Sequence, residues 1–178
     1  MNENQPFDEL DIDAPTQAPE FGWRILVIDD NPAVHADFAK ILLPKPSPGD
    51  ELDRYEHEVL GESGRERFRI DAMAIELQFA HTGIEAIELL ARDANEGKRF
   101  DMAFVDMRMP PGFDGIETTR RLWNHDPELA IAISTTHSDG DTAEIIRRLG
   151  PSPSLWVLPK PLAQDDVEQL VAAAFLQR

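Results

Sequence analysis

Short apolar runs alternate with stretches of helical periodicity along most of this chain. Trp23 to Ile28 is apolar and β-branched, the pattern of a strand buried on both faces. It stops at Asp29-Asp30-Asn31-Pro32, where Asn31 fits an N-cap and Pro32 the first helical position. Val34, Phe38, Ile41 and Leu42 recur at helical spacing and predict a helix to about Leu43, stopped by Pro44 and Pro46. Ala74 to Ala80 alternates as a second strand. Thr82, followed by Glu85, is a capping-box pattern opening a helix to about Glu96, with Ile84, Ile87 and Leu90 facing inward. Met102 to Val105 predicts a third, buried strand that ends on Asp106. Prolines and glycines at 110–112 then force a loop, and Asp114 with Glu117 caps a helix to about Asn124. Ile131 to Ser134 reads as a fourth strand, followed by a short helix capped by Asp141 and Glu144 and ending at Gly150. Leu155 to Leu158 is the fifth strand, closed by Pro159-Lys160-Pro161. Asp165 and Glu168 start a last helix with Val167, Leu170, Val171 and Phe175 inward.

Strand and helix thus alternate five times, which predicts an α/β fold: a parallel sheet with helices on both faces. Right-handed crossovers and the doubly wound order 2-1-3-4-5 are expected. Two stretches fall outside this alternation. Residues 1–20 hold six acidic residues, three prolines and no lysine or arginine, and are expected to be a disordered acidic segment. Residues 44–70, rich in proline, glycine and charge, read as an insertion within a domain spanning 21–178.

Composition narrows the classes without choosing among them. At 178 residues the chain can bury a sizeable core. With no cysteine it has no disulfide, thiolate metal site or thiol nucleophile. No apolar run reaches the ~18 residues of a membrane span, and no basic-then-apolar leader is present, so a cytoplasmic location is expected. A formal net charge of -17 argues against nucleic acid or an anionic membrane as partner.

Candidate chemistry lies at the strand ends. In a sheet of this order the ligand crevice lies outside the carboxyl ends of the strands, near the switch between the first and third. Asp29 and Asp30 follow the first strand, Asp106 ends the third, Thr135 follows the fourth and Lys160 the fifth. Each has a bland explanation alone, as a cap, a loop acid, a turn hydroxyl or a surface lysine. Together they deliver acid, acid, hydroxyl and ammonium to one rim. Three carboxylates suit Mg²⁺, which prefers oxygen ligands and keeps several waters. One carboxylate can attack phosphorus to form an aspartyl phosphate, with Lys160 neutralising charge and Thr135 donating to a phosphoryl oxygen.

Taken in order, Ile25-Leu26-Val27-Ile28-Asp29-Asp30, Phe104-Val105-Asp106-Met107-Arg108-Met109-Pro110, Asp114-Gly115, Ser134-Thr135 and Leu158-Pro159-Lys160-Pro161 resemble the signatures of a response-regulator receiver domain. The resemblance covers about Trp23 to Leu176. The 110–117 and 135–139 runs are most similar to receivers associated with hybrid sensor histidine kinases. It implies a flavodoxin-like fold and a phosphoacceptor role for Asp106. It also implies direct Mg²⁺ ligation by Asp30, Asp106 and the main-chain carbonyl of Arg108, with Asp29 acting through a water and Mn²⁺ as a substitute ion. Thr135 would be the switch hydroxyl, Lys160 the phosphate-facing cation, and Lys160-Pro161 a cis peptide. The implied partners are a histidine kinase or phosphotransfer protein and an unidentified downstream protein, with homodimerisation left open. The implied molecule is a switch rather than an enzyme, apart from supporting its own phosphoryl transfer and slow hydrolysis.

Two departures from the family pattern stand out. Thr136 replaces the usual small residue after the switch hydroxyl, and Val157 stands where an aromatic relay usually does. They keep open a second reading, an interaction module without phosphorylation. A third, an aspartate-nucleophile phosphatase, needs a second acid two residues after the nucleophile, and that position holds Arg108.

Overall fold

The computed structural model describes residues 22–43, 74–110, 112–136 and 142–177. The expectations for 1–20, the 44–70 insertion, Pro111, the 137–139 run and the Asp141 cap lie outside the described residues. Within them, the strands are β1 (Trp23–Ile28), β2 (Ile75–Ala80), β3 (Met102–Asp106), β4 (Ala130–Thr135) and β5 (Leu155–Pro159). The helices are α1 (Pro32–Leu42), α2 (Gly83–Asn95), α3 (Gly115–His125), α4 (Thr142–Leu149) and α5 (Gln164–Leu176). All strand pairs are parallel and the order is β2-β1-β3-β4-β5, as the alternation predicts.

Burial explains why the central strands carry no polar alternation. Every residue of β3 and β4 is buried, because helices cover both faces. Successive side chains point to opposite sides. Leu26, Ile28, Val105, Ile131 and Ile133 pack with Ala86, Leu90, Ile116, Leu122 and Ile145 of α2, α3 and α4. Ile25, Val27, Phe104 and Ala132 pack with Phe38 and Leu42 of α1 and with Val167, Leu170 and Val171 of α5. Trp156 and Val157 face opposite cores, as a regular strand requires.

The helix caps follow the sequence with one exception. Asn31 accepts from the Ala33 amide, Thr82 from Glu85 and Asp114 from Glu117. α5 instead begins at Gln164, behind Ala163, with no side-chain cap; Asp165 and Asp166 sit in its first turn, where they favour the positive end of the helix dipole. Two expected inward residues are exposed. Ile84 is 48% exposed because the buried line of α2 runs through Gly83, Ala86, Leu90 and Asp93. Phe175 is 37% exposed in the last turn of α5, where its ring lies 5.2 Å from that of Trp23.

Candidate functional site

Register brings the strand-end residues together. Ile28 pairs with Val105, and Asp106 with Ser134, so the carboxylates beyond β1 and at the end of β3 emerge side by side. Thr135 is the last residue of β4 rather than the one after it, and it pairs with Pro159. The Lys160 amide then donates to the Thr135 carbonyl at 2.7 Å, which seats the lysine at the same rim. The Lys160-Pro161 peptide is cis, as expected.

The Lys160 ammonium donates to Asp29 Oδ2 at 2.8 Å and lies 2.9 Å from Asp106 Oδ1. Asp29, Asp30 and Asp106 each offer a carboxylate oxygen within 4.8 Å of the others. Asp29 and Asp106 are buried, whereas Asp30 is exposed and opens the cluster to solvent. The remaining bonds hold the loops in place. Asp29 Oδ1 accepts from the Asn31 amide at 2.9 Å, and Asp106 Oδ2 from the Arg108 amide at 3.3 Å. The Thr135 hydroxyl donates to the Thr136 carbonyl at 3.2 Å.

Charge is unbalanced here. Burial pushes the Asp106 carboxyl above its usual value, and the repulsion of Asp29 adds to this, while the Lys160 bond pulls it down. Burial disfavours the Lys160 ammonium, but its bonds to Asp29 and Asp106 outweigh that and hold its pKa above the ordinary lysine value. One ammonium thus faces three carboxylates. A hard divalent cation would relieve that excess, and an all-oxygen donor set with one open side fits Mg²⁺ and its retained waters. The chemistry such a cluster supports is nucleophilic attack by a carboxylate on an electrophile whose negative charge Lys160 and the cation would offset.

Two neighbours shape the site: Gly115, whose place in the Asp114-Gly115 signature the sequence shows without its reason, and His35, which the sequence does not single out. A Cβ at Gly115 would stand 2.7 Å from the Asp106 carbonyl oxygen and 2.9 Å from Met107 Cα, so only glycine lets the start of α3 lie this close to the end of β3. The Gly115 amide donates to the Met107 carbonyl at 3.0 Å, fixing that approach. His35, on α1, is buried beside Asp29, with its ring stacked 4.8 Å from Phe79 and equally near His81. Gly115 carries the signal of a glycine just after a cap; His35 carries none, since helical spacing favours Val34 and Phe38 around it.

Known proteins are similar to this chain. The model of the response regulator receiver domain matches residues 56–172, well over half of the chain. A response regulator receiver protein of Anaeromyxobacter sp. (strain Fw109-5) is 34% identical over 140 residues, covering 79% of this chain and 43% of that protein. The DNA-binding transcriptional regulator NtrC of Escherichia coli (strain K12) is 35% identical over 92 residues, covering 52% of this chain and 18% of NtrC. The chain therefore spans less than half the length of these curated relatives. Among solved structures, a response regulator receiver domain protein from Clostridium thermocellum superposes with a TM-score of 0.60 at 22% identity, covering 87% of this chain and 95% of that one. A response regulator receiver protein from Sinorhizobium medicae WSM419 gives 0.58 at 20% identity, with the same coverage of both chains. At such identities the structural likeness speaks for the fold. The matched span begins after Asp29 and Asp30, and it is the pairing of β1 with β3 that brings those two acids to Asp106. Sequence match, strand order and acidic rim agree: the chain belongs to the response regulator receiver domain family of two-component signalling.

Proposed function

We propose that Asp106 is the phosphoacceptor of this receiver and that the chain acts as a switch rather than as an enzyme with turnover. The observation that carries the reading is the meeting of Asp29, Asp30, Asp106 and Lys160 at one rim, with Lys160 bonded to both buried acids. In the forward step an Asp106 oxygen attacks the phosphorus of a phosphohistidine on a histidine kinase or phosphotransfer protein. The P–N bond breaks and the imidazole leaves. Asp29, Asp30, Asp106 and the Arg108 carbonyl would hold Mg²⁺, with Mn²⁺ as a substitute. The ion would supply charge neutralisation for the phosphoryl oxygens. Lys160 would exchange its Asp106 contact for a phosphoryl oxygen, and the Thr135 hydroxyl would turn from the Thr136 carbonyl to do the same. Added charge at the rim then biases the surface formed by α4, β5 and α5 toward a protein target. Nucleic acid and membrane do not suit a chain of charge -17, and no helix among the described residues is long and apolar enough to cross a membrane.

Incubation with Mg²⁺ and a small acyl-phosphate donor should add one phosphoryl group, read by intact mass, and Asp106→Asn should abolish it. An unchanged mass in the wild type would favour the silent interaction module that Thr136 and Val157 keep open. Labelling that survives in Asp106→Asn would remove Asp106 from the role.

A further inference from the structure

The surface charge of this acidic protein is unevenly placed. α3 and α4 each carry two arginines against one glutamate: Arg120 and Arg121 with Glu117, and Arg147 and Arg148 with Glu144. α2 carries three acids and one arginine, and α5 three acids and no base. The two arginine-rich helices are neighbours, joined by a bond from Arg120 to the main-chain carbonyl of Arg148 at 2.7 Å. Their arginines form one exposed cationic strip, beside which Ile146 stands 40% exposed. The bonds already made there leave it open to exchange. Arg121–Glu117 and Arg147–Glu144 are exposed pairs one turn apart, and Arg148 lies 3.7 Å from Asp114. Exposed pairs of this kind contribute little and give way readily to a competing carboxylate.

The sequence holds a matching segment. Phe7-Asp8-Glu9-Leu10-Asp11-Ile12-Asp13 alternates carboxylates with apolar side chains and contains no base. Its route to the strip is short. Parallel strands joined by helices send every helix back toward the edge where the strands begin, so the last turn of α4 heads toward the edge at which the chain enters β1, although the Arg148 guanidinium reaches back to 3.7 Å from Asp114 at the start of α3. β1 is two strands from β4, and α3 and α4 form the layer above, so the gap is on the order of 20 Å. Residues 14–22 can span at most roughly 30 Å. A tether of that length holds the segment near millimolar effective concentration, enough to populate contacts that are individually weak.

We propose that the arginine strip of α3 and α4 is the docking surface for residues 7–13 of the same chain. Carboxylates of the segment replace Glu117 and Glu144 as partners of the arginines, and an apolar side chain covers Ile146. Any acidic protein partner of this face then has to displace the segment first.

The test uses the full chain, in which the lack of cysteine makes a single Asn4→Cys the only site for a nitroxide label. Amide signals of residues 117–124 and 144–149 should lose intensity selectively at about 20 mM salt and regain it at about 0.5 M. Regain is also expected in Arg147→Glu/Arg148→Glu, and independently in Asp8→Asn/Glu9→Gln/Asp11→Asn/Asp13→Asn. If the arginine variant does not fold, the segment variant decides, since its changes lie outside the described helices and strands. Intensity loss spread evenly, centred on α5, or unmoved by salt and by both variants would overturn the proposal. So would loss that appears only on mixing spin-labelled chains with separate isotope-labelled ones, because it would make a second copy the occupant.

Discussion

Among the described residues Lys160 is the one cation bonded to two buried carboxylates, so Lys160→Met is the most direct probe of the site's electrostatics. The lysine side chain is 22% exposed, against 3% for Asp29 and 9% for Asp106. Breaking a buried ion pair costs about 3–5 kcal/mol, because the surviving charge is left without compensation. Lys160 is reached by water and Asp30 opens the rim, so the low end, about 3 kcal/mol, is expected here. For a domain of this size that corresponds to a fall in Tm of roughly 6–12 °C in metal-free buffer. A divalent cation can stand in for the missing ammonium, so Mg²⁺ should raise the Tm of the variant by more than that of the wild type. Adding Asp106→Asn to Lys160→Met removes one of the stranded charges and should recover part of the loss, a non-additivity of about 1–3 kcal/mol. Thermal melts with chelator and with Mg²⁺, supported by urea titrations, measure all of these. Equal Tm values and equal Mg²⁺ responses in the variant and the wild type would refute the electrostatic account of the rim.

Three further outcomes are expected. Burial, outweighing Lys160, makes folded Asp106 hold its proton to higher pH than the 3.8 of an ordinary aspartate. Stability should therefore fall as pH rises from 3.8 through the folded value and stay reduced above it; Asp106→Asn should be the more stable protein at neutral pH without Mg²⁺, by urea titration, and the gap should close in acid. Gly115→Ala should cost about 1–3 kcal/mol, because its Cβ meets the Asp106 carbonyl, and should also slow labelling by the acyl-phosphate donor. His35 is held below the usual histidine value of 6.5 by burial and then by the nearby His81. The unfolded chain takes up a proton there first, so stability should drop as pH falls below 6.5 and level off below the folded value; His35→Phe should show a shallower drop between about pH 7 and 5.5.

The acids and the lysine were legible because they stand where apolar runs stop, and a parallel sheet sends all such stops to one edge. The parallel sheet followed from the alternation of elements and its order from the doubly wound class expected for it, and Asn31, Thr82 and Asp114 cap as their spacing indicates. What the periodicity missed depends on how far a neighbour extends. Ile84 falls on an inward-looking helical position, yet the buried line of α2 passes through Gly83 and Ala86, and Thr118 of α3 packs against Gly83. Phe175 looks inward by spacing but sits in the last turn of α5, where its ring lies against that of Trp23. The contact of Lys160 with Asp29 as well as Asp106 depends on side-chain reach, which spacing does not encode.

The first strand also bears on how such a molecule can be enlarged. The Trp23 amide donates to the Ala74 carbonyl at 2.7 Å, so the chain's entry into β1 and its entry into β2 lie side by side. α1 leaves the carboxylate rim and runs back toward that same border of the sheet, ending at Leu42. Residues added before β1, or between α1 and β2, are therefore grafted at the pole remote from Asp106. Selection can lengthen, shorten or rewrite those additions to suit a new neighbour without disturbing the chemistry at the opposite pole.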